Sequence, residues 1–159
     1  MDWFNVMTNP PLHLLVDEIK PHADFAVFQA LASPCLEIIS ALATPLADGV
    51  WQVDVAIANT GWLPTQISAH ATKNRLVLPV IAELALPVGV EIVGGVNRVQ
   101  LGQLEGRSGF RIDGGSRNDG TPDRALARWL VRTADVTGIV AIASHQRAGS
   151  VQCAVVAAG

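Results

Sequence analysis

The apolar positions change period along the chain. Over residues 12–19, Leu12, Leu15, Val16 and Ile19 recur at the i, i+3, i+4, i+7 spacing of one helix face, with Asp17, Glu18 and Lys20 on the other. Thr8 or Asn9 can cap this helix, and Pro10 and Pro11 suit its first positions, where a missing N–H does no harm. Pro21 breaks or kinks it, and a second helical piece with Phe25, Phe28, Leu31 and Ala32 on one stripe runs to Ser33-Pro34. From residue 35 the pattern is that of strands. Residues 35–43 read as the first. In the second, residues 50–58, Trp51, Val53, Val55 and Ile57 share a face that reads as core, while Gln52 and Asp54 point away and Ala56 and Ala58 blur the alternation. Asp48-Gly49 before it, and Asn59-Thr60-Gly61 with Pro64 after it, close this strand with turn chemistry.

Residues 65–76 read as a short helix or irregular crossover, with Thr65 as the cap. Residues 77–86 are strand-like, with Pro79 near the start and Pro87 after the end, positions an edge strand tolerates. Residues 88–120 hold nine of the fourteen glycines, so 90–93 and 96–104 read as strands around a Gly94-Gly95 turn and 107–122 as a long surface excursion. Residues 125–133, with Trp129 and Val131, suit a strand, although residues 123–128 open a helical turn equally well. The last strands, 138–144 and 150–157, are joined by a hairpin loop at 146–149. About seven short strands at this spacing predict a mainly β chain, an antiparallel β-sandwich of the immunoglobulin or transthyretin type with an N-terminal helical segment.

A length of 159 residues suffices for one domain that buries about two thirds of its unfolded surface. Half the residues are hydrophobic and 16% are charged, which excludes the disordered class. A net charge of −3 supplies no attraction for nucleic acid or an anionic membrane. No apolar run reaches the roughly 18 to 20 residues of a membrane span, and residues 1–7 lack the basic start and apolar middle of a signal peptide. Cys35 and Cys153 sit beside or within strands: a disulfide is geometrically accessible if the first and last strands are neighbours, and two buried free thiols are the alternative.

Several short motifs, in order, carry a family likeness: Leu36-Glu37-Ile38, then Leu46-x-Asp48-Gly49-x-Trp51-x-Val53, then Asn59-Thr60-Gly61-x-Leu63-Pro64-Thr65. Gly102-x-Leu104-Glu105-Gly106-Arg107-Ser108, Trp129-Leu130-Val131 and Ala148-Gly149-x-Val151 continue it. Together they resemble the β-sandwich domain that follows the catalytic domain in bacterial zinc metallocarboxypeptidases of the carboxypeptidase A-like family. The resemblance implies a non-catalytic accessory domain over residues 35–159, joined by a helical linker over residues 1–34 to a catalytic domain of the same parent chain. That domain is the expected partner, and the zinc belongs to it, so no cofactor is expected in this chain. Leu12, Leu15, Ile19, Phe25, Phe28 and Trp62 are the expected interdomain contacts, with Glu105 and Arg107 as a docking loop. Self-association is left open. The competing expectation is a carbohydrate- or surface-binding recognition module that uses exposed aromatics.

The chemistry-bearing residues agree with a non-catalytic expectation. His13, His22, His70 and His145 are followed three places on by Val16, Phe25, Lys73 and Ala148, so the His-x-x-Glu pair of the resembled family's catalytic domain is missing, as are His-Glu-x-x-His and Cys-x-x-Cys. These histidines read as surface or partly buried scaffold. Gly106-Arg107-Ser108-Gly109 has the wrong spacing for a nucleophile elbow. The loop at 113–123 lacks oxygen ligands at its third and fifth positions and has Arg124 where a calcium loop needs glutamate. Neither a catalytic nor a metal-ligand set is therefore expected. Glu105 and Arg107 fit either a carboxylate-binding fork or local loop hydrogen bonds. Trp51 and Trp129 read as core, and Trp3 and Trp62 as exposed.

Overall fold

The computed structural model describes Pro11 and residues 13–66, 68–109 and 122–158. Leu12, the expected cap at Thr8 or Asn9, Trp3 and most of the loop at 113–123 lie outside the described residues. The chain divides into two compact units, Met1–Ala32 and Ser33–Gly159.

The first unit contains one helix, α1 (Leu15–Leu31), which runs through Pro21. The expected break at Pro21 is corrected: the proline deletes a single hydrogen bond, the one the Asp17 carbonyl would accept, and the turns on either side hold. Nor does the helix open at the proline pair. His13 and Leu14 form a turn first, closed by the Leu14 N–H on the Pro11 carbonyl at 2.8 Å. Continuity has a geometric consequence. At roughly 100° per residue, Leu15, Val16 and Ile19 occupy one face, and Phe25, Phe28 and Leu31 fall on the opposite one. Phe25 and Phe28 stack, with ring centroids 6.3 Å apart.

The second unit is mainly β and sandwich-like. Its described strands are β1 (Leu36–Ala47), β2 (Val50–Asn59), β3 (Val80–Ala85), β4 (Glu91–Gly94), β5 (Val99–Gly102), β6 (Arg124–Arg132), β7 (Val140–His145), β8 (Gly149–Ala154) and β9 (Val156–Ala157), with a short helix, α2 (Ala69–Lys73), between β2 and β3. They form a five-stranded sheet in the order β4-β6-β2-β1-β9 and a four-stranded sheet in the order β5-β3-β7-β8. The two inner faces share one core. Val53, Val55 and Ile57 of β2 and Ala127, Trp129 and Val131 of β6 meet Val80, Ala82 and Leu84 of β3 and Ala141 and Ala143 of β7. The face expected for β2 is therefore the buried one, with Trp51 half-buried at its end and its indole N–H on the Thr133 carbonyl at 3.2 Å.

Several expectations change. β3 is not an edge strand: it lies between β5 and β7, and Pro79 and Pro87 fall just outside it, so its ladder keeps every donor. β4 and β5 do not pair about Gly94-Gly95, since each joins a different sheet. Asn97, between them, helps to explain the divergence. Its amide side chain accepts from the Leu84 N–H at 2.9 Å and donates to the Leu84 carbonyl at 2.8 Å, taking both backbone groups of β3 that a strand would. β6 is a strand throughout, with Arg124, Leu126, Arg128, Leu130 and Arg132 outward and Ala127, Trp129 and Val131 buried. The expected last strand divides at Val155, whose N–H bonds the Ile139 carbonyl at 2.9 Å, and β9 then crosses to pair in parallel with Leu42 and Ala43 of β1. The short helix is capped not by Thr65 but by Ser68, whose Oγ accepts from the Ala71 N–H at 3.2 Å. Cys35 and Cys153 are free and exposed rather than buried or bridged, one in the loop before β1 and the other on the outermost strand of its sheet.

Candidate functional site

Loops from distant parts of the sequence meet around Asn59, the last residue of β2, which is buried. Its Oδ1 accepts from the backbone N–H of Cys35 at 3.0 Å and of Gly61 at 3.1 Å, and its Nδ2 donates to the Leu63 carbonyl at 2.9 Å. One amide thus pins the entry to β1 against the turn after β2. Thr65, also buried, joins a third segment: its Oγ1 donates to Gln103 Oε1 at 2.7 Å and accepts from the Leu104 N–H at 2.8 Å. The loop after Leu104 then lies along this turn, the Arg107 N–H on the Gly61 carbonyl at 3.0 Å and the Ser108 N–H on the Trp62 carbonyl at 2.9 Å. Backbones approach so closely here that only glycine fits. A Cβ on Gly61 would stand 2.4 Å from the Ser33 carbonyl oxygen, and one on Gly106 would stand 2.4 Å from that of Trp62. Held on this cluster, Trp62 and Leu63 keep 55% and 40% of their surface exposed.

The side chains of Glu105 and Arg107 are placed differently. The Glu105 carboxylate turns into its own loop and accepts from the Gly106 N–H at 3.1 Å, whereas the Arg107 side chain is exposed beside the tryptophan loop. Of the expected contact residues, Trp62, Glu105 and Arg107 are therefore brought together. Leu15 and Ile19 are separated from Phe25 and Phe28 by half a turn of helix, and Leu12 lies outside the described residues.

A second feature was not visible in the sequence. On the outer face of the four-stranded sheet lies a groove of about 420 Å³ whose floor is one rung across three strands, Ile81 opposite Ser144 and Ser144 opposite Ser150. Leu78 and Pro79 line one wall, and Arg98 also lines it. That wall is anchored. The Leu78 carbonyl accepts from His145 Nε2 at 3.0 Å and from Gln103 Nε2 at 3.1 Å, so the side chain that meets Thr65 also fixes the groove. His145 is buried, and its Nδ1 accepts from the backbone N–H groups of Arg147 and Ala148, each at 3.2 Å. Two donors on Nδ1 leave Nε2 as the nitrogen that carries the proton. Burial pushes the imidazole pKa down, and Arg147 adds to this, against the opposing pull of the Leu78 carbonyl. Residues 78, 81, 98, 144 and 150 are too scattered for any spacing rule. The short alternation of β7 was the one local signal.

Among the described residues, no three or more His, Cys, Asp or Glu side chains are placed to hold a metal ion, and no helix is long and apolar enough to cross a membrane. His13, His22 and His70 are exposed. Compared with curated proteins, the chain has no match. Residues 35–156 match the family described as Domain of unknown function (DUF8731), a span that runs from the residue before β1 into β9 and takes in both the Asn59 loop cluster and the groove. The chain belongs to this DUF8731 domain family.

Proposed function

We propose that the Ser33–Gly159 unit is a non-catalytic accessory module that docks on a partner through the loop cluster carrying Trp62. The carrying observation is an indole more than half exposed on a loop that Asn59, Gly61 and Gly106 hold rigid. Rigid aromatic anchors lose little entropy on binding and are over-represented at the centres of protein interfaces. Arg107 beside it adds a guanidinium fork for a carboxylate at the rim. The partner this reading takes is the zinc metallocarboxypeptidase catalytic domain implied by the motif resemblance, with catalysis and metal on that side and none in this chain. The finer fold type, immunoglobulin- or transthyretin-like, is part of the same reading, and the two-sheet arrangement, antiparallel except for the β1–β9 pair, supports it. Calorimetric titration of the chain with the separately expressed catalytic domain tests it. Saturable heat is expected, weakened about tenfold or more by Trp62→Ala, as for a central anchor. Absence of heat with the wild-type chain sinks the docking role. The exposure of Trp62 also favours a second reading, a platform for a sugar ring. Glycan-array binding lost in Trp62→Ala would select that reading instead.

A further inference from the structure

We propose that the outer-face groove binds an extended peptide at a carboxylate set beside an apolar side chain, with Arg98 taking the carboxylate and Leu78, Pro79 and Ile81 the apolar group. The volume, about 420 Å³, falls within the span of small-ligand sites, roughly 300–1,000 Å³. The lining is chemically one-sided: a guanidinium, the hydroxyls of Ser144 and Ser150 and the amide of Gln146, with no acidic side chain among the lining residues. Such a set selects an anion, and a planar fork of donors matches a planar carboxylate. The guanidinium is available: none of the ion pairs among the described residues involves Arg98, and Glu83, the acid of neighbouring β3, forms none with it. No aromatic ring lines the groove, so it offers no stacking surface to a sugar.

The groove is also built before a ligand arrives. Three hydrogen-bonded strands make the floor, His145 and Gln103 fix the Leu78 wall, and Gly149 at φ +79° shapes the hairpin at one end. Little ordering is then required on binding, and a small contact can still be specific. Trp62 plays no part, so this proposal and the docking role stand or fall separately.

The test is an NMR titration of the ¹⁵N-labelled full chain with two probes, acetyl-Leu-Glu-amide and acetyl-Leu-Leu with a free C-terminus. Saturable shifts are expected at the amides of Arg98, Ser144, Gln146, Gly149 and Ser150 with at least one probe, and which one responds tells a side-chain carboxylate from a chain terminus. Acetyl-Leu-Gln-amide is expected to produce no shifts, and Arg98→Gln to weaken binding about tenfold, the scale of a lost charge-assisted pair, without moving the unfolding midpoint. No saturable shifts from either acidic probe at millimolar concentration overturns the proposal. Equal binding by Arg98→Gln, or by the glutamine probe, overturns it as well.

Discussion

Asn59 shows how one buried side chain replaces regular pairing where the strands have ended. Truncation to alanine leaves two backbone N–H groups and a carbonyl without partners in a place water reaches poorly. Asn59→Ala is expected to lower stability in urea unfolding by on the order of 2 kcal/mol or more. His145 makes a different statement, about pH. Its folded pKa lies below the ordinary 6.5, so above about that pH both folded and unfolded chains keep it neutral and stability is intact. As pH falls below 6.5 the unfolded chain takes the proton first, and stability declines until the folded value is passed. Thermal melts between about pH 7.5 and 5 should show this fall in the wild-type chain and a flatter profile in His145→Gln, which has no proton to gain there.

Elements show where local chemistry decides structure and where it does not. The core face of β2 was legible because Gln52 and Asp54 alternate with Trp51, Val53 and Val55 before Ala56 and Ala58 blur the pattern, and the turn at Asp48-Gly49 because glycine is needed there, at φ +71°. The interior place of β3 was not legible, since sheet order is a long-range property and the flanking prolines resemble those of an edge. Gly94-Gly95 carries the chemistry of a hairpin, yet its strands part because Asn97 takes the Leu84 backbone pair, a contact no local pattern encodes. Residues 123–128 suit helix and strand alike, and antiparallel pairing of Arg124 to Arg128 with Ala58 to Asp54 of β2 decides for strand. On the outer face of that strand, Arg128 grips Asp54 with two hydrogen bonds, 2.6 and 3.1 Å, and holds its carboxyl below the usual range. The pair is exposed, so salt screens it. The crossing at Val155 matters more to stability: ending the chain at Ala154 removes a buried valine and the β9 pairing, and a drop on the order of 2 kcal/mol is expected in the urea midpoint analysis.

At the scale of the molecule, the sequence showed a helical segment followed by a mainly β, sandwich-like unit, and it named three residues whose loops the structure brings together. Trp62 could be nominated from its turn beside Pro64, and Glu105 and Arg107 from the motif resemblance. That their loops meet could not, because the meeting depends on Asn59 and Thr65 reaching across more than twenty residues of chain. The helix is the converse case. Its apolar positions were legible, but their division between two opposite faces follows only once the helix is seen to pass through Pro21.

The parallel pairing of β1 with β9 sets how the Ser33–Gly159 unit would answer to mechanical load. Tension on its two ends pulls these neighbours in opposite directions along their length, so the bonds at Leu42 and Ala43, with that from the Ala158 N–H to the Ala43 carbonyl, are sheared together instead of peeling apart singly. A clamp only two rungs long would yield first under stretching, and its failure would release the edge that ties one sheet to the other.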